Sequence, residues 1–329
     1  MSDIKNLGEL ISELIKEERY EEIAPLLPQF KELIWSEEKK QVIVETSTYL
    51  QDLKERIAWK VNDSIIPTGF KSIDERIFGA VKWNIMTIAA RTGWGKTTLW
   101  INIALNMLKE HKVWFISLEM TEEEICDKIV SRIGRVRHSA LTINKFQPWE
   151  IEWIRMKAKE IKFAIDNLMR AYDCYDIESL YETIEEMAHR WCEVVFVDWL
   201  WMIEAPGNSQ PDKMRTVMSK LKQVAITNNI AIVAMQQLNR QMDWSPREPK
   251  MYDIADGSSI EKISSPVLIM WREDDNHTTI SIYKARRLNA DKFMNKEWYI
   301  DRDEATMLRL RDDLWFSWFK DYEIEEKPF

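Results

Sequence analysis

The sequence predicts an α/β protein, a mostly parallel sheet flanked by helices, with a small α-helical appendage in front of it. Three observations predict this class. Six short apolar runs lie between residues 83 and 285, and several lack polar alternation, which is how strands covered on both faces read. Amphipathic helical stretches separate the runs, and strands interleaved with helices imply right-handed parallel crossovers. The first run ends in the stretch "AARTGWGKTTLW", which holds two of the chain's eight glycines within three residues.

In chain order, residues 1–62 are charged and helical in pattern. "LGELISELIKEERYEEIAPLL" and "QVIVETSTYLQDLKERIAWK" repeat apolar residues every three or four positions, and Pro25 and Pro28 punctuate them. A long helix over about residues 37–60 is expected there. After "IIPTGF" the pattern changes, so the expected division is a helical N-terminal appendage and linker helix over 1–62 and an α/β domain over 63–329. The expected strands are "WNIMTIAA" (83–90), "KVWFISL" (112–118), "EVVFVDWLWMI" (193–203), "IAIVAM" (230–235), "PVLIMW" (266–271) and "TTISIYKA" (278–285). The first helix of this domain should begin near Lys96.

Composition excludes several classes. With 329 residues and 45% hydrophobic content the chain can bury a large core. Its net charge of −9 argues against wholesale coating of nucleic acid, while leaving room for a small basic channel. Cys126, Cys174 and Cys192 have no CxxC spacing and an odd number, which reads as a reducing compartment and hence a cytoplasmic protein. The histidines at 111, 138, 189 and 277 are too dispersed for a zinc site. The N-terminus carries charges every few residues, and no apolar run approaches the roughly 18 residues that span a bilayer.

"ARTGWGKT" fits the phosphate-loop pattern and lies where that pattern must lie, between a buried strand and a helix. Gly93 and Gly95 let backbone N–H groups turn inward around phosphates, at a helix N-terminus whose dipole favours anions. Lys96 would reach the β- and γ-phosphates of ATP, and the Thr97 hydroxyl would ligate Mg²⁺. "VVFVDWL" ends an apolar run with Asp198, which would offer a carboxylate to the magnesium or its water shell. Glu119 follows another run and precedes a capping-box sequence, "TEEE", where it would polarise the attacking water.

The order of these motifs resembles that of the bacterial and phage DnaB-type replicative helicases, in their RecA-like ATPase domain, from "PTGF" (67–70) to about "YKARR" (283–287). "IAARTGWGKTTL" is similar to the family's phosphate loop, "FISLEM" to its catalytic-glutamate segment, "VVFVDWLWM" to its magnesium-acid strand, "AIVAMQQLNR" to its sensor strand and "KAR" to its finger strand. The resemblance implies that Ala90, Arg91, Thr92, Gly93, Trp94, Gly95, Lys96, Thr97 and Thr98 bind the nucleotide. It implies that Thr97 and Asp198 hold the metal, that Glu119 activates water and that Gln237 senses the γ-phosphate. Lys284 and Arg286 would reach the neighbouring subunit's site. It further implies a homo-oligomeric, hexameric ring moving on single-stranded DNA, with primase or a helicase loader as further partners.

Three positions depart from the pattern. Trp94 fills a loop position where the family has a smaller residue, Ala255 stands where "DIADGSSIE" would carry an arginine, and "LNAD" lacks the family's glycine turn after "KARR". Lys213, Arg215, Arg240, Arg247 and Lys250 are the candidate DNA contacts. The phosphate loop and its two acids are shared by RecA-like and KaiC-like ATPases that do not unwind DNA. An ATP-binding replisome assembly factor is the third reading.

Overall fold

The computed structural model describes residues 63–171, 174–239, 247–272, 277–285, 306–310 and 316–318, together with Leu26. The chain divides into two compact units, Met1–Asn62 and Asp63–Phe329. The expected appendage and linker helix lie, Leu26 apart, outside the described residues.

The second unit opens with an antiparallel pair, β1 (Ile65–Ile66) and β2 (Ala80–Val81), joined through helix α1 (Lys71–Ile77). "PTGF" acquires a structural reason here. The Thr68 N–H and hydroxyl both donate to Asp74 Oδ1, at 2.8 Å each, and the Gly69 N–H donates to Oδ2 at 2.9 Å. Gly69 has φ 77°, and a Cβ there would fall 2.5 Å from the Asn106 side chain. Asn106 in turn donates to the Thr68 carbonyl. The turn therefore presses against the helix that follows the phosphate loop, and only glycine allows that approach.

The main sheet has the order β11-β10-β9-β8-β3-β7-β6-β4-β5. Its parallel part contains β3 (Ile85–Ala90), β4 (Val113–Ser117), β5 (Met169–Ala171), β6 (Val194–Asp198), β7 (Ala231–Gln237) and β8 (Val267–Arg272). β9 (His277–Lys284), β10 (Thr306–Leu310) and β11 (Phe316–Trp318) extend it in antiparallel pairing. The mostly parallel sheet expected from the apolar runs is thus found, each strand within a few residues of its run. β5, β10 and β11 were not expected. β5 is only three residues long and leaves no period to read.

One expected strand is shorter than its apolar run. "VVFVD" is paired, but Leu200–Met202 forms a 3₁₀ turn. The last pairing of β6 joins Asp198 to Ser117, and the Leu118 N–H donates to the Asp198 carbonyl. Among the described residues no strand pairs with Leu200–Met202, and the backbone there closes on itself, with the Ile203 N–H donating to the Leu200 carbonyl, before Glu204 bridges to Asp176.

Alternate strand residues face opposite layers. Met86, Ile88, Ala90, Phe115, Phe196, Val233 and Met235 join one core with Leu99, Trp100, Ile103 and Ala104 of α2 (Lys96–Met107). Ile125 and Ile129 of α3 (Glu122–Gly134) and Ala164 of α5 (Pro148–Asn167) close the same layer, with the short α4 (His138–Thr142) between them in sequence. α6 (Ile177–His189), α7 (Gln210–Thr227) and α8 (Gly257–Ile263) follow, and α7 packs on both of its helical neighbours as well as on β3 and β7. Trp100 is fully buried and stacks on Phe115 with ring centroids 3.6 Å apart, leaning on Phe196 at 5.8 Å. Truncating so large a buried side chain costs about 3 to 5 kcal/mol. This contact clamps α2 to β4 and β6.

Candidate nucleotide site

The clamp positions the chemistry. Lys96 lies one helical turn before Trp100 on α2, and Asp198 lies two residues beyond Phe196 on β6, so each points the same way as its buried neighbour. Their side chains meet. Lys96 Nζ is 3.1 Å from Asp198 Oδ1, with side-chain exposures of only 8% and 1%. The pair is within ionic reach but not aligned as a hydrogen bond, and neither atom has another hydrogen-bond partner among the described residues. Two buried charges so placed are held by each other's field and are open to a third group carrying the complementary bonds.

Residues 91–95 arch over this pair from the end of β3. Gly93 and Gly95 have φ 81° and 88°, the left-handed region where a side chain is strained, and a Cβ on Gly93 would meet nothing within 4 Å. That side of the loop is open space. Gly95 caps α2 without any side-chain hydrogen bond, and the first turn of α2 contains no acidic residue. The helix start therefore offers free N–H groups and positive dipole to an anion. Thr97 is half-buried in that first turn, Thr92 is exposed, and Thr98 is buried. Trp94 folds back onto the hydrophobic core, with the Arg91 guanidinium 5.1 Å over its ring. The large side chain thus packs beneath the loop and leaves the backbone arch intact.

The C-terminal strand ends converge here. Ala90 pairs with Gln237 on β7 and Ser117 pairs with Asp198, so the strand order brings four tips together along one edge. Such an edge is where open parallel sheets bind ligands. Glu119 stands just beyond β4 on a turn set by Ser117, whose hydroxyl donates to the Met120 carbonyl and accepts from the Met120 N–H. Thr121 then caps α3 with a reciprocal Thr121–Glu124 box. Glu119 is at the solvent edge, yet partial burial pushes its carboxyl above the ordinary range. Asp198 repels its charge and adds to the shift, while Lys96 opposes it. The site holds one acid with a raised affinity for protons beside one locked to a lysine, an arrangement suited to phosphoryl chemistry.

Residues 65–300 match the DnaB-like helicase C terminal domain. The chain belongs to that family. A probable plasmid replicative DNA helicase of Chlamydia psittaci is 30% identical over 219 residues, 64% of this chain and 47% of that protein. The replicative DNA helicase DnaB of Rickettsia prowazekii is 25% identical over 238 residues, 66% of this chain and 48% of that protein. The chain spans about half the length of the curated relatives it matches. A solved DnaB-like replicative helicase, described with its interactions with primase, superposes with a TM-score of 0.72 at 18% identity, over 94% of this chain and 73% of the other. A second solved structure, described as an ATPase domain, superposes with a TM-score of 0.70 at 20% identity, over 84% of this chain and 99% of the other. The fold is that of the RecA-like ATPase domain of DnaB structures.

Within this DnaB-like domain the sequence-predicted residues divide into three groups. Lys96, Thr97, Glu119, Asp198 and the loop residues come together, and half-buried Gln237 sits at the adjoining strand tip. Lys284 does not join them. β9 runs antiparallel to β8, so Lys284 pairs with Val267, itself level with Thr87 near the start of β3 and away from the phosphate loop. Its ammonium donates to the Glu261 carbonyl at the end of α8. Arg286 and Arg240 lie outside the described residues.

Three of the candidate DNA cations are already engaged. Arg247 grips Asp253 through both terminal nitrogens, at 2.7 and 2.8 Å, and Arg215 on α7 lies 3.3 Å from Asp212. Lys250 reaches Glu248 more loosely at 3.4 Å, and Lys213 is half-buried on α7.

Sequence reasoning missed two neighbours of the site. Trp199 lies under Lys96, with Nζ 5.3 Å from the ring centroid, and the aromatic residue following a strand-end acid was the available signal. Gln236 is fully buried on the opposite side of β7 from Gln237, and its amide donates to the Ala255 carbonyl at 2.9 Å. The Ala255 N–H donates to the Gln237 carbonyl at 3.0 Å. No local pattern in "MQQL" distinguishes these two glutamines; only the strand's facing does.

Proposed function

We propose that this chain is the motor of an ATP-driven replicative DNA helicase, working as a homo-oligomeric, hexameric ring on single-stranded DNA in a reducing cytoplasm. The observation that carries the reading is the buried Lys96–Asp198 pair beneath the Gly93–Gly95 arch, with Glu119 at its rim. The arch and the start of α2 would take the β- and γ-phosphates, and Lys96 would turn from Asp198 toward them. Among the described residues no cluster of three or more His, Cys, Asp and Glu side chains is placed to hold a metal. Thr97 and Asp198, with the phosphates and water completing the shell, fit a hard cation that keeps several waters, as magnesium does. When bound, it would withdraw charge from the phosphates. Glu119 would accept a proton from the attacking water, and Gln237 would read the γ-phosphate and pass its state to Ala255 through their shared hydrogen bond.

In the ring, Lys284, which lies away from its own phosphate loop, would leave the Glu261 carbonyl to serve a neighbour's site together with Arg286. Among the described residues no helix is long and apolar enough to cross a membrane, and none of Cys126, Cys174 and Cys192 is in a disulfide. Primase or a loader would be further partners. The test is ATP-dependent displacement of a strand from a forked duplex by purified protein, beside ATP hydrolysis with and without single-stranded DNA. DNA-stimulated hydrolysis without displacement would indicate a RecA-like or KaiC-like ATPase. Neither activity would indicate an assembly factor.

A further inference from the structure

We infer that Tyr252 is a base-stacking platform for single-stranded nucleic acid. The inference rests on the helicase reading and names a contact that the reading does not supply. Tyr252 is 73% exposed. The Arg247 guanidinium lies 5.3 Å from the centroid of its ring and is locked there by its two bonds to Asp253. One side of the ring is backed by a fixed cation and the rest is open to solvent. An arginine so held is poorly placed to grip a phosphate, but it backs one face of the tyrosine ring and favours that orientation, so that part of the ordering entropy is met before a base stacks.

The platform is anchored on two strands. Met251–Asp253 forms a 3₁₀ turn in which Asp253 accepts from the Lys250 N–H at 2.7 Å. The Asp253 carbonyl accepts from the Asn239 N–H at 2.7 Å, just beyond β7. On the other side Glu248 accepts from Ser281 at 2.7 Å and Tyr283 at 3.0 Å, both on β9. Three residues beyond Tyr252, Ala255 is bonded to Gln236 and Gln237. Any shift of the β7 tip with nucleotide state is therefore carried to the tyrosine. An exposed aromatic ring beside Arg247 and Lys250, rigidly mounted on the sensor strand, suits a base, because stacking tolerates every sequence as a translocating motor requires.

The experiment uses the full chain with magnesium and a non-hydrolysable ATP analogue. Affinity is measured for a labelled oligothymidylate and for an equal-length strand of abasic sites, which keeps the phosphates and removes the bases. Wild type should prefer the base-bearing strand, and Tyr252→Ala should weaken binding to that strand by about tenfold while leaving the abasic strand unaffected. Tyr252→Phe should behave as wild type, and ATP-analogue binding by Tyr252→Ala should be unchanged, which excludes misfolding. Wild-type binding with the base preference fully kept in Tyr252→Ala overturns the platform alone. Wild type that binds neither strand overturns the platform together with the reading beneath it.

Discussion

Lys96 and Asp198, 102 positions apart in sequence, face each other at 3.1 Å inside the protein without an aligned hydrogen bond. Removing one partner leaves the other charge buried and uncompensated. Lys96→Ala should therefore lose nucleotide binding and also destabilise the empty protein by about 3 kcal/mol. A double-mutant cycle with Asp198→Asn should return a coupling of about 1 to 3 kcal/mol, read by denaturant unfolding. Additive losses would show that the two side chains do not depend on each other.

Glu119→Gln should bind ATP as wild type does and lose hydrolysis, because the carboxylate acts on the attacking water and not on the ground-state phosphates. Its carboxyl is raised above the usual glutamate range, mainly by burial and then by Asp198. The base works only when ionised, so turnover falls as pH drops through this raised value. The acid limb of the kcat profile should thus lie above that of an ordinary glutamate. A limb in the ordinary range would remove Glu119 from the rate-limiting proton transfer.

Arg286→Ala should bind ATP nearly normally and hydrolyse it about 10³-fold more slowly, as arginine fingers do. The defect should be one of the assembly. Mixed with Glu119→Gln subunits, it should regain activity at interfaces that join one intact glutamate to one intact arginine. A structure of the filled assembly with Arg286 against its own chain's nucleotide would contradict this.

Asp74 gives a pH signature of the fold. Burial pushes its carboxyl up to about 6, against the hydrogen bonds from Thr68 and Gly69 that pull it down. A raised folded value means that the folded state holds the proton longer than the unfolded chain does. The contribution, on the order of 2 to 3 kcal/mol for a shift from 3.8 to about 6, is present below the unfolded value and lost as pH rises through the folded one. The stability of wild type relative to Asp74→Asn should fall between pH 4 and pH 6.5 in thermal unfolding. A flat difference would mean that the hydrogen bonds outweigh burial.

The sequence by itself determined the local pieces of this protein. Unbroken apolar runs mark β3, β4, β6, β7 and β8 because strands buried on both faces need no polar alternation. The glycines of "TGWGKT" mark the loop because few other residues adopt its φ values, and "TEEE" marks the start of α3 because the Thr121–Glu124 box closes within four residues. These signals arise from interactions between near neighbours, and near neighbours are what a sequence displays. Tertiary structure alone decided which pieces meet. Strand order set Asp198 against Lys96, antiparallel pairing turned Lys284 away from its own phosphate loop, and the Asp253 contact made Arg247 a support for Tyr252. The short β5 and the 3₁₀ turn after Asp198 were equally hidden. The physical reason is the same in each case: a strand or a charge finds its partner through hydrogen bonds and fields between segments, six positions apart for Arg247 and Asp253 and 102 for Lys96 and Asp198, and which segments meet is set by packing that no local period records.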